Sequence, residues 1–211
     1  MGGVQHKRLQ FLALGDSYTI GESVDPSDRW PVQLVKVLRK QGVEIEDPIV
    51  IARTGWTTDE LMTAIEAQRP NGRFDLVSLL IGVNNQYRGR SLEEYTNEFR
   101  SLLLRAIGFA GGRPDRVLVL SIPDWGVTPF AEGRDRNKIA GEIDEFNAKN
   151  RDEAERSGVH YVNVTTQSRE AVSDVSLLAE DGLHPSARSY AAWVQLIEPI
   201  ALRIFRGGKD D

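Results

Sequence analysis

Five short runs rich in Val, Ile and Leu alternate with helical stretches along the chain. They cover residues 9–14, 48–52, 74–81, 116–122 and 159–164. The central ones, Leu76-Val77-Ser78-Leu79-Leu80-Ile81 and Val117-Leu118-Val119-Leu120, are almost continuously apolar. A strand with one wet face would alternate, so a continuous apolar run marks a strand covered on both faces, as in a parallel sheet. Between the runs, residues 29–40 carry Trp30, Leu34, Val37 and Leu38 at helical spacing. Thr57-Thr58-Asp59-Glu60 has the form of a capping box and opens a helix through Gln68. Ser91 opens another, with Tyr95, Phe99, Leu102, Leu103 and Ala106 on one stripe and glycines from Gly108 onward to end it. A polar helix is expected over residues 135–156 and a last one over residues 186–205. Repeated strand–helix–strand units imply right-handed crossovers. The expected architecture is α/β, a three-layer α/β/α sandwich on a five-stranded parallel sheet. No repeat, low-complexity segment or long linker divides the 211 residues, so one domain is expected over 1–211, with tails at 1–8 and 207–211.

Composition removes whole classes of chemistry. The chain has no cysteine, which excludes disulfides, thiolate nucleophiles, zinc fingers and iron–sulfur ligation. Its three histidines are too few for a His-rich metal cage, and no metal or cofactor is expected. The net charge of −5, with both signs scattered, lacks the basic footprint of a nucleic-acid or anionic-membrane binder. No apolar run approaches the roughly 18–20 residues of a membrane span. Residues 9–14 follow His6, Lys7 and Arg8 and lead into Gly15-Asp16-Ser17, which is not a leader with its cleavage site, so a cytoplasmic location is expected.

In an open parallel sheet, ligands bind beyond the carboxyl ends of the strands. The segments there are Gly15-Asp16-Ser17, Arg53-Thr54-Gly55-Trp56, Gly82-Val83-Asn84-Asn85 and Pro123-Asp124-Trp125-Gly126, with Asp181-Gly182-Leu183-His184-Pro185 before the last helix. Ser17 at a strand end reads either as a helix N-cap or as an exposed nucleophile. A nucleophilic serine needs a base and a group to orient that base. His184 and Asp181, three residues apart, supply both; the bland alternative is a loop that stops before the final helix. His6 lies in a terminal tail, and His160 opens the last strand without a partner nearby in sequence, so neither competes as the base. A developing oxyanion needs donors aimed at it. The Ser17 N–H, the Gly55 N–H and the Asn84 side-chain amide can converge from three strand ends, although a turn glycine and a turn asparagine are common in their own right.

Gly15-Asp16-Ser17, Gly55, Gly82-x-Asn84 and Asp181-x-x-His184, in that order over residues 15–184, resemble the four blocks of the SGNH/GDSL hydrolases. The resemblance implies a flavodoxin-like sandwich with the first and third strands adjacent. It implies Ser17 as nucleophile, His184 as base, Asp181 as its orienter, and an oxyanion hole of Ser17, Gly55 and Asn84. It also implies cofactor-free action on esters. One block departs: Asn85 stands where the family often has Asp, which takes a carboxylate out of that loop's hydrogen bonding. The Gly-x-Ser-x-Gly elbow of α/β-hydrolases is absent.

The expected function is therefore serine-dependent hydrolysis of small or short-chain carboxylic esters through an acyl-enzyme. Trp56, Tyr87, Trp125 and Phe130 are expected to wall the substrate pocket, with Arg53 and Arg88 available to a polar leaving group. The expected partner is a small-molecule ester, with no nucleic acid and no membrane span; the sequence leaves the oligomeric state open. Two other readings share these residues: a non-catalytic glycan- or acyl-binding module, and an acyltransferase using the same triad.

Overall fold

The computed structural model describes residues 8–207. His6 and most of the two expected tails lie outside the described residues. In chain order the elements are β1 (Phe11–Gly15), α1 (Ser17–Ile20), α2 (Trp30–Lys40), β2 (Ile49–Ala52), α3 (Thr58–Gln68), β3 (Leu76–Leu80), α4 (Val83–Tyr87), α5 (Leu92–Phe109), β4 (Val117–Leu120), α6 (Arg136–Arg156), β5 (His160–Val162), α7 (Thr165–Ser168) and α8 (Ala187–Arg206). Single 3₁₀ turns fill several loops, including Trp125–Val127 and Pro129–Ala131.

All five strands are parallel, in the order β2-β1-β3-β4-β5. This is the expected doubly wound sheet, with β1 between β2 and β3. Every residue of β1, β3 and β4 is buried, as their continuous apolar runs require. The edge strand β2 is half open, and Ile49 stands exposed on it. On one side of the sheet α2 packs on α8; on the other α5 packs on α3 and α6. The polar α6 is joined to α5 by a fork in which Arg100 grips the buried carboxylate of Glu153 at 2.8 Å on each oxygen.

The capping box is present, with the Thr57 N–H donating to Glu60 at 2.9 Å. The strands are shorter than their apolar runs, and β4 shows why. Ser121 N–H still bonds to Val162, but Ile122 pairs with a side chain: its N–H donates to Asn147 Oδ1 and its carbonyl accepts from Asn147 Nδ2. The amide of Asn147 thus replaces the ladder at the strand end.

Two glycines are required by close packing. A Cβ on Gly15 would stand 2.2 Å from Thr19 Oγ1 and 2.5 Å from the Leu80 carbonyl. Gly82 has φ +132°, and a Cβ there would stand 2.6 Å from the Tyr95 ring and 2.8 Å from Ile122. Gly82→Ala should therefore cost roughly 2–5 kcal/mol through strain and overpacking. For a chain of this size that lowers Tm by about 5–15 °C. Gly42→Ala, where φ is +82° with no atom within 4 Å, should carry only the backbone strain of about 1–2 kcal/mol. Calorimetric melts of both variants check this, and equal losses would contradict it.

Candidate active site

The register levels three strand ends: Gly15 aligns with Ala52 on one side and Leu80 on the other. Ser17, Gly55 and Asn84 follow within four residues of those ends, and all three face one cavity of about 170 Å³. His184 lines the same cavity, as do Tyr87, Trp125 and Phe130.

Ser17 is the first residue of α1, and the N-cap role falls to Asp16, whose Oδ1 accepts from the Tyr18 N–H at 3.0 Å. The capping alternative for Ser17 is thereby excluded. Among the described residues no acceptor is bonded to the backbone N–H of Ser17 or of Gly55, so both remain free donors. Asn84 Nδ2 gives one hydrogen to the Trp56 carbonyl at 2.9 Å, which orients the amide and leaves its second hydrogen free. Gly55 holds φ +87°, and its carbonyl is anchored by Arg88 Nη2 at 2.6 Å. Arg88 also reaches Glu60 at 3.4 Å, so it braces the loop that carries Gly55. Arg53 is exposed. The Trp56 ring does not line the cavity; it packs against the core, and only its carbonyl serves the site.

Asp181 and His184 meet as the spacing predicts. His184 Nδ1 lies 2.6 Å from Asp181 Oδ2, and Tyr18 packs edge-on against the imidazole at 5.7 Å. Asp181 Oδ1 accepts the N–H groups of Leu183 and His184, both at 2.9 Å, and Oδ2 accepts the Ser23 hydroxyl at 2.7 Å. Burial raises the Asp181 carboxyl, but the hydrogen bonds from His184, Ser23 and the two backbone groups outweigh it and hold the carboxyl down at about 2. An ionised Asp181 fixes the proton on Nδ1 and leaves Nε2 as the basic nitrogen. No hydrogen bond joins His184 to the Ser17 hydroxyl among the described residues; in free enzymes such contacts commonly tighten only with substrate.

Ser23 is a site residue that motif reading missed. It holds φ +64°, a left-handed conformation rare for serine, and spends its hydroxyl on Asp181. Nothing in its sequence context signals this, because its partner is 158 residues away. Asn85, the departure from the family pattern, is fully buried. Its Oδ1 accepts the Thr58 N–H at 3.1 Å and its Nδ2 donates to Thr58 Oγ1 at 2.6 Å. The Thr58 hydroxyl then donates to Glu98, so a carboxylate is still present, one step further out. His160 bonds the Asp115 carbonyl at 3.2 Å, away from the cavity. Among the described residues no group of three or more acidic or histidine side chains is placed to hold a metal ion, and no helix is long and apolar enough to cross a membrane.

Fold and cavity together are those of a doubly wound α/β enzyme whose site lies beyond the carboxyl ends of its strands. The sequence profile of the GDSL-like lipase/acylhydrolase family matches residues 13–192, so the chain belongs to that family and is an ester-bond hydrolase. No curated protein sequence matches it. Among solved structures it is similar to TesA (18% identity, 92% of this chain and 99% of that one, TM-score 0.73). It is similar to the psychrotrophic esterase EstA from Pseudoalteromonas sp. (14% identity, 94% and 99%, TM-score 0.72). It is also similar to Axe2, an acetylxylan esterase from Geobacillus stearothermophilus (20% identity, 96% and 95%, TM-score 0.67).

The carboxylate next to the serine behaves oppositely to Asp181. Asp16 is wholly buried, its Oδ2 has no partner, and burial pushes its carboxyl up to about 7 against the pull of the Tyr18 N–H. The folded chain therefore keeps a proton that the unfolded chain releases above about pH 4. The contribution of Asp16 to stability should fall as pH rises from about 4 to about 7 and level off above. Asp16→Asn keeps the acceptor for Tyr18 and cannot ionise. Relative to the parent it should gain about 2–4 kcal/mol between pH 4.5 and 7.5. Urea unfolding across that range reads the gain, and parallel pH curves would contradict it.

Proposed function

We propose that the chain is a serine esterase in which Ser17, His184 and Asp181 form a catalytic triad acting on carboxylic esters of small or short-chain acyl groups. The observation that carries this reading is the 2.6 Å contact of His184 Nδ1 with Asp181, on the wall of the cavity that Ser17 lines. The Ser17 hydroxyl attacks the acyl carbonyl while His184 Nε2 takes its proton. The oxyanion is received by the Ser17 N–H, the Gly55 N–H and the free amide hydrogen of Asn84. His184 then protonates the leaving alkoxide, and the acyl-enzyme remains on Ser17. A water molecule gives its proton to Nε2, attacks the acyl carbon and releases the acid, and Ser17 recovers its proton. Asp181, ionised and saturated with hydrogen bonds, stabilises the imidazolium in both steps.

Short acyl groups are favoured by the size of the cavity. Its 170 Å³ is well below the roughly 300–1,000 Å³ typical of sites for drug-sized ligands. Tyr87, Trp125 and Phe130 give it an aromatic wall suited to a methyl or short alkyl chain. Tyr87 and Phe130 stay 45% and 44% exposed, so water reaches the mouth, which favours hydrolysis over transfer to another acceptor.

Kinetics with p-nitrophenyl esters of increasing chain length test this. Turnover should be highest for the shortest acyl groups. Ser17→Ala should fold normally and lose about 10³-fold or more in kcat. Asn84→Ala should lose about 10²–10³-fold in kcat. Parental turnover in Ser17→Ala would sink the nucleophile assignment.

A further inference from the structure

Three rings of the cavity wall form a compact triangle. Their centroids are 5.4 Å apart for Tyr87 and Trp125, 6.0 Å for Trp125 and Phe130, and 6.2 Å for Tyr87 and Phe130. The guanidinium of Arg134 sits over this triangle, 5.2, 5.4 and 5.8 Å from the three centroids, and its Nη2 donates to the Tyr87 hydroxyl at 3.2 Å. Arg134 itself does not line the cavity. One planar cation thus serves three ring faces and one hydroxyl from outside the pocket.

The three rings differ in how else they are held. Trp125 is buried, and its indole N–H donates to Gln86 Oε1 at 2.8 Å; Gln86 Nε2 donates in turn to Glu142 at 2.7 Å. Tyr87 and Phe130 are half exposed, and the only hydrogen bond to either side chain among the described residues is the one from Arg134. The backbone beneath them is secured separately. Asp124 accepts from the Gly126 N–H, and Arg136 binds the carbonyls of Gly126 and Thr128 at 2.9 and 3.1 Å. Removing the Arg134 side chain therefore frees the two outer rings without releasing the loop.

We propose that Arg134 is a specificity-determining positioning residue: by capping Tyr87, Trp125 and Phe130 it keeps the acyl pocket short, so that it sets the upper limit on acyl-chain length. This rests on the esterase reading above and deepens it. Cation–π attraction and the hydroxyl bond hold the outer rings in the wall. Without them Tyr87 and Phe130 can swing toward solvent, and the pocket lengthens into the space they leave. Lysine keeps the charge but lacks the planar face that lies over three rings.

The test compares the full chain with Arg134→Ala and Arg134→Lys on p-nitrophenyl acetate and octanoate. In Arg134→Ala the octanoate-to-acetate ratio of kcat/KM should rise about tenfold, the scale on which apolar pockets discriminate chain length. The change in the ratio should appear in KM, with kcat on each ester nearly unchanged. Arg134→Lys should shift the ratio the same way by less. Calorimetric binding of neutral octanamide and butanamide in the Ser17→Ala background, with and without Arg134→Ala, reads the same selectivity without turnover. If the parent hydrolyses no ester, the esterase reading fails, and the amides still decide the role of Arg134. An unchanged ratio and unchanged amide selectivity would overturn the proposal. So would equal losses on both esters, because that is what a merely structural residue produces.

Discussion

Gly15 lies in register between Ala52 and Leu80, and three corners of the candidate site follow from that alignment. It brings three strand ends to one level, so the short loops after them release Ser17, Gly55 and Asn84 around a single cavity. The alignment leaves no room at Gly15, where any side chain would strike Thr19 of the helix that begins at Ser17. Close packing of that helix onto the strand end and placement of the buried serine on the cavity wall are thus one constraint. The fourth and fifth segments close the site from the other side. The loop after β4 supplies Trp125 and Phe130, which join Tyr87 of α4 in the aromatic wall, and the turn before α8 supplies Asp181 and His184.

Three carboxylates close to the site are handled in three different ways. Asp16 is desolvated, has one hydrogen bond to its helix, and is pushed up to about 7. Asp124 is buried but paired with Arg169 at 2.8 Å, which ties the β4 loop to the segment after α7. Asp181 is part-exposed and accepts four hydrogen bonds, which hold it at about 2. Only the last is both ionised and turned toward an imidazole. Proximity to the serine in sequence would have favoured Asp16 as the orienting group; hydrogen-bond supply favours Asp181.

Much of this was legible in the sequence because it depends on local pattern. The continuous apolar runs of β3 and β4 revealed a sheet buried on both faces, and Thr57 through Glu60 revealed a helix start. The strand-end glycines and the Asp181–His184 spacing pointed to one edge of the sheet. What could not be read depends on long-range contacts. Ser23 meets Asp181 across 158 residues, and Arg88 meets the Gly55 carbonyl across 33. Trp56 looked like a wall residue by its position in the loop, yet its ring packs inward. The replacement at Asn85 left a gap in the expected hydrogen bonding, which Thr58 and Glu98 fill from two other helices. The ends of strands were overestimated where a side chain, such as Asn147, takes over the role of a neighbouring strand.

The central claim is that Ser17 is an activated nucleophile whose base is His184. Its most direct measurement is covalent labelling with a fluorophosphonate, followed by intact-mass and peptide mass spectrometry. One adduct per chain is expected, on the peptide carrying Ser17. It should be absent in Ser17→Ala and strongly slowed in His184→Ala. No adduct on the parent chain, or an adduct on another residue that persists in Ser17→Ala, would contradict the account.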